Sequence, residues 1–429
     1  MLNDICIDID FSQIYKHGQN IGGDVFLIDR SEGSNILTAT LSDGLGSGVK
    51  ANVLASMTSH MASKMSFSPL ELGHSAEIIM DTLPVDKEKG ISYSTFTIAK
   101  VVFSEDKSFI NVDLVEYDNP DSLRFRGSEA LDWEKEETKL QRKSAVKDET
   151  ILTSSFSMSE GDRLIFFSDG VAQSGVSLGS LPSDKEREPV YYGGAVLHKH
   201  AAIKAAIESE KEKEWGSENV KTFVADILRR QPEIDSRSLS RAIVTEAYKR
   251  DNYHSNDDIT CAVVAIRKPK RTLIVTGAPR NKSSDKRLAE IVKNYEGKTI
   301  VCGGTTSKII ARELGKDIKA DRSPSGNLPP AALLEGVDLV TEGMLTLSEV
   351  AKRLENKTLL KDMPEDPAKR IISILRESDQ FEIIVGTKIN DETDDPTTAA
   401  QIGVRFPVVD RIRNALERKY FKEVEVKYY

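Results

Sequence analysis

Cysteine is scarce in this chain. Cys6, Cys261 and Cys302 are the only three among 429 residues. Few, odd in number and far apart, they point to a reducing compartment, and they leave no zinc site of the CxxC type. The expected location is cytoplasmic. Aromatics are sparse as well, at 6%, and no basic stretch interleaves with them. Positive charge is in deficit, with a net charge of −9. Nucleic-acid binding relies on basic surface to displace counterions, so no nucleic-acid partner is expected. The run RKPKR at 267–271 is basic, but it is short, contains a proline and reads as a solvated linker. No apolar run approaches the length that spans a bilayer. The opening MLNDICIDID lacks the basic-then-apolar order of a signal peptide, so no membrane attachment is expected. There is no HExxH. The six histidines show no metal-ligand spacing, and His198 and His200 read as surface residues.

What is present fits a soluble globular protein: 39% hydrophobic and 30% charged residues, in a length that suits two or three domains. The first part alternates strands with a few helices. Ile5, Ile7, Ile9 and Phe11 recur at period two, which predicts a strand with one buried face. DVFLID, NILTATLSD, STFTIAKVVF, FINVDLVEY and SLRFRG are further strand candidates. Between Ser47 and Met65 the period becomes four. Val49, Val53, Met57, Met61 and Met65 predict an amphipathic helix whose stripe belongs in the core. Ser68 and Pro69 read as the N-cap and first residue of a second helix. Residues from about Gly175 to Arg250 read as a polar loop followed by helices.

Four apolar runs in this first part begin or end at aspartate. IGGDVF carries Asp24, LSDG carries Asp43, FFSDG carries Asp169, and NDDIT carries Asp257 and Asp258. Strand ends are where rigid scaffolds present side chains into sites. Hard divalent cations take oxygen ligands, main-chain carbonyls included, and Gly44 lets its carbonyl approach closely. Clustered carboxylates repel one another in a low-dielectric cleft. If these five converge, bound metal is the simplest compensation. Taken singly, each also reads as an ordinary turn or cap residue.

The ordered series GGD, SDGLGSG, FSDG and NDDIT resembles the metal-dependent protein phosphatases of the PPM class. The DGLGSG form is similar to their bacterial SpoIIE-like branch, which removes phosphate from phosphoserine or phosphothreonine in regulatory proteins. The resemblance spans roughly residues 1–268. It implies an α+β domain in which two stacked antiparallel sheets are flanked by helices, an αββα sandwich. It also implies two Mn²⁺ or Mg²⁺ ions in a cleft at one end. By matching motif, Asp43 would bridge both ions and the Gly44 carbonyl would bind one. Asp24 would hold one metal directly or through another ligand, and Asp169 and Asp257 would bind the other. Asp258, a further candidate metal ligand, occupies a position where many relatives have Asn and others Asp. The implied chemistry is attack on phosphorus by a water whose pKa the two ions lower to about 7, with no side-chain nucleophile. Eukaryotic relatives often carry a histidine after the DG; here that residue is Leu45, so the general acid is unassigned. The alternative reading is a non-catalytic regulator that binds a phosphoprotein or senses a ligand through a degraded site.

Beyond residue 268 strands and helices alternate, which predicts an α/β domain over 269–429 with a mostly parallel, Rossmann-like sheet. It is expected to serve as a sensing or docking domain. In IVCGGTTSKIIAREL, Gly303 and Gly304 end a strand, and Thr305, Thr306 and Ser307 open a helix. A helix N-terminus of this kind suits a small anion; an ordinary turn with an N-cap explains it equally. A homodimer is compatible with this domain.

Overall fold

The structure is a computed structural model. It describes residues 5–30, 35–46, 48–68, 70–84, 94–104, 108–140, 149–175, 214–388, 396–420 and 422–429. His198, His200 and Pro69 lie outside the described residues. Chain contacts divide the molecule into two compact units that meet in sequence at Arg267 and Lys268.

The first unit contains two antiparallel sheets. One has six strands in the order β2 (Asp24–Arg30), β3 (Ile36–Gly44), β4 (Ser94–Phe103), β5 (Ile110–Tyr117), β9 (Glu149–Met158), β8 (Glu136–Leu140). The other has five: β1 (Cys6–Ile14), β11 (Ile259–Arg267), β10 (Asp162–Phe167), β6 (Leu123–Arg126), β7 (Glu129–Leu131). Ala39, Leu41, Ala99 and Val101 of the first sheet share a core with Leu164, Phe166, Val264 and Ile266 of the second, so the sheets are stacked. The opposite side chains of β10, Ile165 and Phe167, pack on α4 (Ser217–Arg230) and α5 (Ser236–Arg250). That accounts for the unbroken apolar run LIFF: a strand covered on both faces has no polar side to show. Cys261 lies in the same core, as a small buried apolar residue.

On the outer face of the six-stranded sheet lie α1 (Val49–Ser66) and α2 (Leu72–Thr82). Here two expectations are corrected. The Val/Met stripe of α1 is not all core: Val49, Val53 and Met57 are 63%, 50% and 53% exposed, while Met61 and Met65 are partly buried. The helix instead buries Ala51, Ala55, Thr58, Ser59, Ala62, Ser63 and Ser66. The strand face beneath it is equally small, with buried Thr38, Thr40 and Ser42, and Ser59 Oγ bonds Ser42 Oγ at 3.0 Å. Small residues on both surfaces let the helix lie close to the sheet, and close contact compensates for their small apolar area. The second correction concerns Ser68. Its hydroxyl donates to the Met65 carbonyl, closing the end of α1, and α2 starts at Leu72 after Glu71.

The second unit, Lys268–Tyr429, holds a seven-stranded sheet. Its order is β14 (Ile318–Ala320), β15 (Ala332–Leu334), β16 (Val337–Thr341), β13 (Lys298–Cys302), β12 (Arg271–Thr276), β17 (Gln380–Val385), β18 (Glu423–Tyr428). The last five are mutually parallel, whereas β14 and β15 pair antiparallel, so the sheet is mixed. The two residues Glu335 and Gly336 that join β15 to β16 cannot carry a crossover, which obliges those strands to run antiparallel. Leu273 and Val275 pack with α6 (Asp285–Lys293) and α7 (Gly304–Leu314) on one face. Ile274 packs with α8 (Met344–Glu355), α9 (Pro367–Glu377) and α10 (Pro396–Tyr420) on the other. Among the described residues no helix is long and apolar enough to cross a membrane.

Candidate metal centre of the first unit

Asp24 opens β2 and Asp43 lies near the end of β3, and the antiparallel ladder sets them directly opposite each other. Two like charges across a ladder destabilise it, and here Asp24 is buried and Asp43 half-buried. Asp169 begins the four-residue helix α3 (Asp169–Ala172) that follows β10. Asp257 sits in the loop before β11. Residues far apart in the chain thereby meet: a cavity of about 430 Å³ is lined by Asp43, Gly44, Asp169 and Asp257, together with Leu45, Gly46, Ser94, Thr95, Asp118, Asn119, Pro120 and Gln173.

The electrostatics follow from that crowding. Burial, then the charges of Asp24, Asp169 and Asp257, hold the Asp43 carboxyl well above the usual carboxylate range. Burial pushes Asp24 up to about 8, against the opposing hydrogen bonds of Thr260 and Ser168. Burial and the Asp257 charge raise Asp169 to about 6. Asp257 is raised by burial, with Lys16 opposing at 3.8 Å. Each shift says that concentrated negative charge costs free energy here.

The residues fit a hard divalent cation. All the donors are oxygens, which such ions prefer. Asp169 Oδ1 is buried with no hydrogen-bond partner, and a buried unpaired carboxylate oxygen is costly. Among the described residues no three His, Cys, Asp or Glu side chains are drawn around a common point. The carboxylates share one cavity and one another's field without forming a finished cage.

Gly44 owes its identity to packing. A Cβ there would lie 2.1 Å from the Ala51 carbonyl oxygen in the first turn of α1. The helix therefore presses on the residue whose carbonyl was expected to face metal. Asp24 is not among the cavity-lining residues; its Oδ2 accepts the Thr260 hydroxyl at 2.6 Å, a bond from one sheet to the other. Asp258 also stands apart from the lining. Its Oδ1 accepts the Lys16 N–H at 3.0 Å and its Oδ2 the Gly23 N–H at 2.6 Å. Its carboxylate braces the segment leading into β2.

Sequence reasoning missed Lys16, Asp118, Asn119 and Gln173. Asn119 is held by Thr95 and Thr97, and Gln173 Nε2 donates to Asp169 Oδ2 at 3.1 Å. Asp118 has a positive φ of 52°, uncommon outside glycine. Asp118 and Asn119 stand in DNPD, a turn-type sequence, but nothing local in it places that turn beside Asp169.

In the second unit, Gly303 has φ 121° and joins β13 to α7. Gly304 and Thr305 are exposed, whereas Thr306 and Ser307 are buried. The Ser307 hydroxyl turns back to the Gly304 carbonyl at 3.0 Å. These five residues form a strand-to-helix turn.

The fold and the site together define a phosphatase domain of the PP2C type. The family model for Stage II sporulation protein E (SpoIIE) matches residues 34–267. The chain belongs to the SpoIIE family. Among solved structures, it is similar to the phosphatase domain of the cell fate determinant SpoIIE from Bacillus subtilis, at 15% identity, 62% of this chain, 95% of that one and TM-score 0.38. It is also similar to RsbX in complex with magnesium, at 14% identity, 62% of this chain, 98% of that one and TM-score 0.35. A third similarity is to the catalytic domain of the serine threonine protein phosphatase PstP with two manganese ions, at 11% identity, 61% of this chain, 100% of that one and TM-score 0.30. No curated protein matches the chain.

Proposed function

We propose that the first unit hydrolyses phosphoserine or phosphothreonine on a regulatory protein with the aid of two divalent ions, Mn²⁺ or Mg²⁺. The observation that carries this reading is the meeting of Asp43, Asp169 and Asp257, from three separate segments, on one cavity. Those three side chains and the Gly44 carbonyl are the ligands we assign. Asp24 supports Asp43 from across the ladder, and Asp258 serves as a brace. When bound, the ions supply Lewis acidity and make water a nucleophile near neutral pH. The chain's own residues hold negative charge in position, and Asn119 and Gln173 offer amides at the cavity wall. The second unit is read as a sensing or docking domain that regulates this activity.

The direct test is phosphate release from a phosphoserine peptide. Release is expected with Mn²⁺ or Mg²⁺ and is expected to stop with EDTA. Inactivity with either ion on phosphoserine, phosphothreonine and p-nitrophenyl phosphate would favour the non-catalytic regulator instead.

A pH effect on stability follows as well. In the metal-free protein Asp24, Asp43 and Asp169 keep protons that the unfolded chain releases near pH 4. The folded state then binds more protons, so this contribution to stability is complete below about pH 4 and is lost as pH rises through about 6 to 8. Metal binds the ionised form. The rise in melting temperature on adding Mn²⁺ is therefore expected to be larger at about pH 8 than at about pH 5.5. A thermal-shift series in which the Mn²⁺ increment is flat with pH would contradict it.

A further inference from the structure

The second unit contains a feature that neither the family match nor the proposed hydrolysis uses. From β12 the chain builds outward to β13 and β16, then returns to the other side of β12 with β17 and β18. The helix after β12, α6, packs on one face of the sheet, and the helix after β17, α10, packs on the other. The strand order thus reverses between β12 and β17. In sheets of this construction the connections diverge there and leave a crevice at the carboxyl ends of the strands, where ligands bind.

Both strands end at that point in glycine, Gly277 after β12 and Gly386 after β17. The Gly386 N–H donates to the Thr276 carbonyl at 2.8 Å, so the two ends stay joined. Neither glycine leaves room for a side chain. A Cβ on Gly386 would lie 2.2 Å from the Ala278 oxygen, and one on Gly277, at φ 85°, would lie 2.4 Å from Arg405 Nη1. Arg405, on α10, lays its guanidinium over these bare backbones. Nη1 donates to the Gly386 carbonyl at 2.8 Å.

Among the described residues that is the one hydrogen bond of the guanidinium. Among the described residues no carboxylate pairs with Arg405, and its Nε is buried without a partner. Arg353, by contrast, takes Asp366 in a two-point pair, while Arg163, whose Nε is also buried without a partner, caps two carbonyls. Arg280 and Lys388 follow on the same two segments, and neither forms an ion pair among the described residues. A half-buried guanidinium with donors left over can take an oxyanion in charge-assisted hydrogen bonds.

We propose that the crevice between the ends of β12 and β17 binds the phosphate or carboxylate group of a small molecule, with Arg405, which Gly277 and Gly386 let lie against the strand ends, as its counter-charge. This site neighbours the turn at Gly303–Ser307, since Thr276 pairs with Cys302 in the parallel ladder, and it does not depend on the phosphatase reading.

The test uses the full chain, kept metal-free with EDTA so that the aspartate cavity holds no metal to retain phosphate. Inorganic phosphate and citrate are titrated separately, against chloride at matched ionic strength. Hydrogen exchange reads residues 273–281 and 381–388. Saturable slowing of about fivefold or more is expected with phosphate, citrate or both, and the stronger of the two names the anion class. Arg405→Gln should abolish the slowing, and Arg405→Lys, which keeps charge but not the fork, should raise half-saturation about tenfold. The proposal is overturned if neither anion exceeds chloride, or if Arg405→Gln responds like the wild type. Should Arg405→Gln fail to fold, an unchanged half-saturation in Arg405→Lys overturns it as well.

Discussion

Asp43→Asn is expected to reduce metal-dependent turnover at least about a hundredfold, roughly 3 kcal/mol of barrier, while making the metal-free protein more stable. The two effects share one cause. Asp43 lies half-buried opposite Asp24 and within the field of Asp169 and Asp257. Its charge is unfavourable in the empty fold, and asparagine removes that charge at nearly unchanged volume. The same charge is what we assign to holding metal, so its loss would remove a ligand. Measured at about pH 8 in EDTA, the variant should melt a few degrees above wild type, since about 1 kcal/mol corresponds to about 2–4 °C in a domain of this size. Asp169→Asn should lose turnover similarly, with a smaller stability gain because Asp169 is less strongly perturbed. A variant that keeps wild-type turnover would remove Asp43 from the site. A variant that loses turnover and also melts lower in EDTA would mean that the carboxylate is structural.

Gly44→Ala should disturb both fold and metal response, for a reason different from flexibility. Gly44 has no positive φ to protect. The obstacle is the Ala51 carbonyl oxygen, 2.1 Å from where the Cβ would lie. Either α1 moves away from the sheet or the end of β3 moves toward the cavity. Overpacking of this kind costs about 1–3 kcal/mol, read as a drop in melting temperature. Either movement also displaces the Gly44 carbonyl, so the Mn²⁺ concentration for half-maximal turnover should rise about tenfold or more, about 1.4 kcal/mol of binding. An alanine variant with wild-type melting and wild-type Mn²⁺ dependence would show that the contact between α1 and the strand end has no bearing on the site.

The contact also bears on how α1 is read. Its outward stripe of Val49, Val53 and Met57 and its inward face of Ala, Ser and Thr are opposite sides of one helix. Periodicity located the helix, because a spacing of four is a property of the chain alone. It misassigned the buried face, because burial depends on the surface opposite. Thr38, Thr40 and Ser42 admit a close helix of small residues, and no segment within 47–65 contains that information.

Much of the first unit was legible in sequence for the same physical reason. Alternating runs such as STFTIAKVVF became β4, and the fully apolar LIFF became the doubly covered β10. Period and composition are local, and they reach the reader without any knowledge of neighbours. The mixed sheet of the second unit was less legible. Its β14 and β15 are three residues long, too short for a period to register. Asp258 illustrates the limit for sites. It stands in the same motif as Asp257, yet its oxygens accept main-chain N–H groups of Lys16 and Gly23, more than two hundred positions away.

By itself the chain of residues determined the element types, the aspartates at strand ends and the family to which they belong, since each depends on neighbours along the polymer. Tertiary structure alone decided which carboxylates share the cavity, why residue 44 is glycine, and how Arg405 comes to lie over the ends of two strands. Those outcomes depend on distances between segments that only folding brings together, and on the free energy of charge in the low-dielectric space between them.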